Sequence, residues 1–131
     1  MTHQIIQPEG WLPAKGYANG ILARDGTLYI GGQIGWDENK SFVSDDFVDQ
    51  MRQALKNIAA IVEAAGGKVS DVTRLTWFVI DKGDYLARQA EVGGAYRDVF
   101  GKHFPAMSMV VVAGLVEDDA LVEIEATAHL A

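Results

Sequence analysis

The sequence contains no cysteine, which removes thiol nucleophiles, thiolate-held zinc, iron–sulfur clusters and disulfides together. The absence also suits a reducing compartment. Proline is scarce: Pro8, Pro13 and Pro105 fall outside the periodic segments, so no linker or breaker divides the chain. No stretch approaches the ~20 apolar residues of a membrane span. Residues 1–7 lack the basic start and apolar run of an export signal. Positive charge is in deficit: 11 Lys+Arg against 18 Asp+Glu leave a net charge of −7, which repels a phosphate backbone instead of recruiting it. Nucleic acid is disfavoured as a main partner, a membrane is not expected, and the expected location is cytoplasmic.

What is present is a chain of 131 residues, 49% hydrophobic and 22% charged. That is an ordinary globular composition of one-domain length, so residues 1–131 are expected to form a single domain. Residues 3–7 suggest a short strand. Residues 17–24 and 27–31 flank Asp25-Gly26, whose positive φ values suit a tight hairpin turn. Over residues 45–65, Phe47, Met51, Leu55, Ile58 and Val62 recur at helical spacing, with Ser44 as the expected N-cap and Gly66 as the stop. Residues 72–80 predict a strand, 84–100 a second helix capped by Asp84 and stopped by Gly101, and 106–113 and 121–130 two final strands. The order predicts an α+β domain with one mixed sheet and both helices on one face.

Strand patterning suggests that the opposite face is also covered. Leu75, Trp77 and Val79 point one way while Val72, Phe78 and Ile80 point the other; Met107, Met109 and Val111 likewise oppose Val110 and Val112. A bare apolar sheet face is uncommon on a soluble monomer. The expectation is a homo-oligomer built through that face, with loops such as residues 9–16 as the alternative cover.

Candidate chemistry lies in the last strand, where Glu123 and Glu125 share a face about 6.6 Å apart. They read either as the solvated side of an edge strand or as carboxylates facing a partly apolar cleft, where a raised pKa suits general acid–base work on water. His3, His103 and His129 show no metal-ligand spacing, and His103 reads as solvent-facing. Gly31-Gly32-Gln33-Ile34-Gly35 follows a strand without opening a helix, a poor phosphate loop. Tyr17 and Tyr29 could orient a ligand or belong to the core. Gly93-Gly94, inside the second helix, reads first as close packing against the sheet and second as a backbone approach to ligand.

The stretches Gly16-Tyr17-Ala18-Asn19-Gly20, Tyr29-Ile30-Gly31-Gly32-Gln33-Ile34, residues 59–66, 96–100 and the closing PAMSMVVVAGLVEDDALVEIEA resemble the RidA (YjgF) family. The resemblance implies a chorismate-mutase-like α+β subunit assembling into a homotrimeric barrel, with small-molecule clefts between subunits and no metal or cofactor. It implies hydrolysis of reactive enamines and imines to 2-oxo acids and ammonia. The family's tyrosine matches Tyr17 and its water-handling glutamate matches Glu123. Its serine position holds Gly31, its asparagine position Gly93, the cysteine two residues after its arginine Met109, and the arginine itself Met107. A thioether cannot replace a bidentate arginine–carboxylate contact, so a 2-imino acid held in the family manner is not expected; Arg24 and Arg74 are candidates for a compensating cation. The alternative is a non-catalytic binding or regulatory trimer, with endoribonuclease activity the least supported.

Overall fold

The computed structural model describes residues 2–131. In chain order it forms β1 (His3–Ile6), β2 (Gly20–Ala23), β3 (Thr27–Ile34), α1 (Phe47–Ala64), a 3-10 turn (Val69–Asp71), β4 (Val72–Val79), α2 (Lys82–Ala87), α3 (Gln89–Phe100), β5 (Ala106–Val111) and β6 (Val122–His129). The six strands make one sheet in the order β1-β2-β3-β6-β4-β5. The hairpin forms at Asp25-Gly26 as expected, but through three residues, 24–26, and with positive φ at Gly26 alone: Gly26 sits at φ 92° and donates to Ala23 O at 3.1 Å, while the Asp25 carboxylate accepts from Thr27 N at 2.9 Å. β5 lies parallel to β4, as the intervening α2–α3 crossover requires.

One sheet face carries the core. Leu28, Ile30, Leu75, Trp77, Val79, Val122 and Ile124 are buried with Met51, Leu55, Ile58 and Val62 of α1 and Val92, Ala95 and Tyr96 of α3. Both long helices therefore cover the same face, the expected mixed α+β architecture.

Several local expectations change. α1 is capped by Asp46, whose carboxylate accepts from Asp49 N at 3.1 Å. Ser44 stands two residues back, its hydroxyl accepting from Asp46 N and donating to Asp49. The predicted helix 84–100 is two helices that meet at Arg88, and Asp81 instead of Asp84 caps the first. No glycine or proline stands at that joint. Arg88, at φ −125° and ψ 31°, is held there by Asp46 at 2.8 Å and Glu91 at 2.6 Å, so the break coincides with a contact to the cap of α1. A register shift between Val72 and Arg74 turns Val72 onto the core face. The second face of β4 is then Arg74, Thr76 and Phe78, less apolar than simple alternation predicted. Residues 9–16 are pinned to the loop after β3 by Leu12 N–Glu38 O and Lys40 Nζ–Pro13 O, both 2.9 Å. They leave Tyr29 and Val110 on the second face 55% and 43% exposed.

The consequential change concerns β6. It is flanked by β3 and β4, so Glu123 and Glu125 stand in the middle of the sheet and not along a solvated edge.

Candidate functional site

On the second face, a hollow of about 350 Å³ is walled by Tyr17, Asn19, Gly31, Gly32, Trp36 and Glu123 among others. Its floor exists because β3 departs from regular pairing: the register with β6 shifts between Ile30 and Gln33. Glycine in a strand interior commonly marks such a bulge or a close approach, and here it marks both. Gly31 N donates to Asn19 O at 2.9 Å, drawing the Tyr17 loop onto the strand. A Cβ on Gly32 would stand 2.6 Å from Cδ of Glu123. The Glu123 carboxyl thus rests on bare backbone at a position where no side chain fits. Sequence alone does not mark Gly32 as a site residue; its one signal is the glycine doublet inside a strand.

A buried amide relay fixes the loop. Gln33, 3% exposed, donates from Nε2 to Asn19 Oδ1 at 3.1 Å, and Asn19 donates in turn to Gln7 Oε1 at 2.9 Å. At the mouth, the Lys40 ammonium lies 5.9 Å from the centroid of the exposed Tyr17 ring and 6.0 Å from that of Trp36, within cation–π range. Glu123 is half-buried. Burial pushes its pKa above the ordinary value and repulsion from Glu125 adds to this, with no hydrogen bond or cation offsetting either. A carboxylate held this way retains a proton to higher pH and is suited to exchanging it with water.

Glu125 opens into a neighbouring hollow with Tyr29, Arg74 and Thr76. Arg74 therefore accompanies the second glutamate, while Arg24 is exposed beside the hairpin turn.

Met107, Met109 and Gly93 lie elsewhere. They line a cavity of about 280 Å³ on the helix side of the sheet, walled also by Trp77, Tyr85 and Tyr96. Tyr96 stacks on Phe104 with centroids 5.4 Å apart and donates to His103 O at 2.5 Å. Burial raises its phenol to about 12, so it stays protonated. His103, expected to face solvent, is partly buried with Nε2 2.7 Å from Val72 O. The Gly93-Gly94 pair is not explained by packing against the sheet. A Cβ at Gly93 would meet the Arg97 guanidinium 3.3 Å away, and one at Gly94 would meet nothing within 4 Å.

Within one chain, then, Tyr17, Gly31 and Glu123 come together, and so do Gly93, Met107 and Met109, but the two groups lie on opposite faces of the sheet.

The chain matches the family model described as endoribonuclease L-PSP over residues 9–130. Among solved structures it is similar to YyfA of Yersinia pestis, a member of the Rid family, at 33% identity with TM-score 0.83, over 98% of this chain and 99% of that one. It is similar to RidA of a Psychrobacter species at 30% identity and TM-score 0.81, over 97% and 99%. It is also similar to Escherichia coli TdcF, solved with bound serine, at 32% identity and TM-score 0.82, over 98% and 99%. With matches running nearly end to end in both directions and a six-stranded sheet of the same build, the chain belongs to the endoribonuclease L-PSP family, the Rid proteins of the RidA/YjgF type.

Proposed function

We propose that the protein is a homotrimer that binds small molecules in clefts between subunits and hydrolyses a reactive enamine or imine there. Each cleft is closed when the Tyr17–Gly31–Glu123 hollow of one subunit meets the Gly93–Met107–Met109 cavity of the next. The two groups lie on opposite faces of one sheet, so a ligand that touches both must sit between subunits, and this supports the reading. The observation that carries the chemistry is Glu123: a partly desolvated carboxyl without a partner cation, lying on glycine backbone beside Tyr17. Glu123 takes a proton from water as the oxygen adds to the imine carbon. It returns that proton to nitrogen, giving the neutral carbinolamine, and in the collapse it relays the hydroxyl proton to the departing nitrogen as the C–N bond breaks and the C=O bond forms, so that both protons of the water end on ammonia. That TdcF was solved with serine supports a cleft of amino-acid size in this family. Met107 and Met109 give this cleft a softer, apolar wall, and Met107 offers no partner to a carboxylate buried against it.

Ammonia release from a panel of enamines and imines tests this. Glu123→Gln is expected to lower turnover by about 10²-fold or more; unchanged turnover removes Glu123 from the reaction. On 2-aminoacrylate, wild type is expected to be poor and Met107→Arg to gain activity.

A second reading, a binding or regulatory trimer without turnover, is favoured by glycine or methionine at positions 31, 93 and 107. Ligand-induced thermal shifts without ammonia release would select it. RNA cleavage is opposed by the net charge of −7.

A further inference from the structure

The cavity beside Met107 is lined by Tyr85, Gln89, Gly93 and Arg97 as well as by its apolar wall, and no carboxylate lines it. In a chain with 18 acidic residues, the one charged group that this chain contributes to the cavity is a cation; the carboxyl it faces in the proposed assembly is Glu123 of the next subunit, whose burial favours its neutral form. Among the described residues the ion pairs engage Arg52 and Arg88, and none engages Arg97. The guanidinium is therefore uncommitted.

Its position is set by Gly93. Arg97 lies one helical turn beyond Gly93 on α3, and its Nη1 comes 3.3 Å from where a Cβ at 93 would stand, with Cζ and Nη2 at 4.0 Å. A side chain at 93 would take the space into which the guanidinium folds. Glycine costs α3 stability relative to alanine, and neither the sheet nor another helix gains a contact from it. The bare backbone at 93 leaves room for the arginine to lie back along α3 beside the cavity.

We infer that Arg97 is the anion anchor of this cleft, and that the preferred ligand is a monocarboxylate with an apolar or aromatic body. The carboxylate meets the guanidinium at the exposed rim, where the pair forms with less desolvation than on the cavity floor. The body fills the space lined by Trp77, Tyr96, Met107 and Met109. 2-Aminoacrylate has no such body, in keeping with its expected poor turnover. The inference rests on the proposal that this cavity is a small-molecule site, and it supplies the ligand class.

The test uses 3-phenylpropanoate and its neutral amide as probes, titrated calorimetrically into the full-length protein as purified. Wild type is expected to prefer the carboxylate at least tenfold. Arg97→Gln should abolish that preference while leaving amide binding in place. Gly93→Leu, whose branched side chain would occupy the space where the guanidinium lies, should weaken carboxylate binding, whereas Gly93→Ala, which needs a shift of only a few tenths of an ångström, should retain it. Equal affinity for the two probes, no carboxylate binding, or a preference untouched in Arg97→Gln would overturn the assignment. Failure of the hydrolase proposal looks different: carboxylate preference would persist and depend on Arg97, while no imine is turned over in a Glu123-dependent way. Conversely, Glu123-dependent turnover of neutral imines with no carboxylate preference would retain the hydrolase and discard the anchor.

Discussion

At the residue scale, Glu123 is shaped by two things that strand alternation does not encode: its partial burial and the backbone it rests upon. Alternation in residues 121–130 put Glu123 and Glu125 on one face, and they are. It could not say that the strand is central, because strand order depends on pairings between distant segments. The raised pKa has consequences of definite sign. The native state keeps a proton on Glu123 at pH values where the unfolded chain has lost it, so this group's contribution to stability declines as pH rises through the window above its ordinary value of 4.5. Glu123→Gln is therefore expected to raise Tm at pH 7 slightly while lowering turnover, a pairing checked by calorimetry beside the ammonia assay. If Glu123 acts as base, the acid limb of the rate profile lies above the ordinary glutamate value. Glu125→Gln removes the repulsion and should move that limb to lower pH; a limb that stays in place would show that Glu125 does not influence the reacting carboxyl.

At the scale of elements, the most informative departure is the break at Arg88. Helical periodicity over 84–100 is continuous in sequence, and the break falls at a side chain that reaches from the α2–α3 joint to the cap of α1. Asp46 thus does two jobs, accepting from Asp49 N as cap and pairing with Arg88. The Arg88 hydrogen bond is the larger cause holding its carboxyl below the ordinary range. Because the folded value lies below the unfolded one, the contribution is present above the ordinary carboxylate range and lost as pH falls through the folded value. Asp46→Ala is expected to cost about 1–2 kcal/mol through loss of the cap. Asp46→Asn, which retains a capping oxygen, should cost less and flatten the acid limb of stability. Urea titrations at pH 7 and pH 3 check both; equal losses for the two variants at pH 7 would deny the cap its share. The buried Gln50 teaches a similar lesson. It donates to Ser44 O and Asp119 O at 3.0 Å and accepts from Leu121 N at 2.8 Å, pinning the loop before β6 to α1. In the sequence it is only a polar residue on a helix.

At the scale of the whole molecule, the proposed trimer would account both for the exposed second sheet face and for the divided half-sites. Val110, 43% exposed on that face beside Phe78 of β4, is a suitable probe. Light scattering is expected to give three times the chain mass of 14.2 kDa for wild type. Val110→Lys should shift this toward the monomer and abolish turnover, because each cleft then loses its other half. A trimer that survives the lysine would place the contact on a different face.

The amino-acid order by itself determined the local elements that short-range physics controls. The Asp25-Gly26 hairpin needs positive φ, α1 follows from its apolar stripe, and the alternation of β6 separates the core from the glutamate face. The same order carried enough likeness, above all from Pro105 to Ala126, to point to the family, and it exposed the methionine at position 107. Only the tertiary structure decided that β6 is central, that the candidate residues fall on two faces, that Arg88 splits a helix, and that Arg97 folds over Gly93 while Arg74 and Arg24 stand elsewhere. The strand order, the two faces and the split helix depend on contacts between segments far apart in the chain, while Arg97 lies over a residue one turn away on its own helix, with the direction of its side chain left open by local sequence.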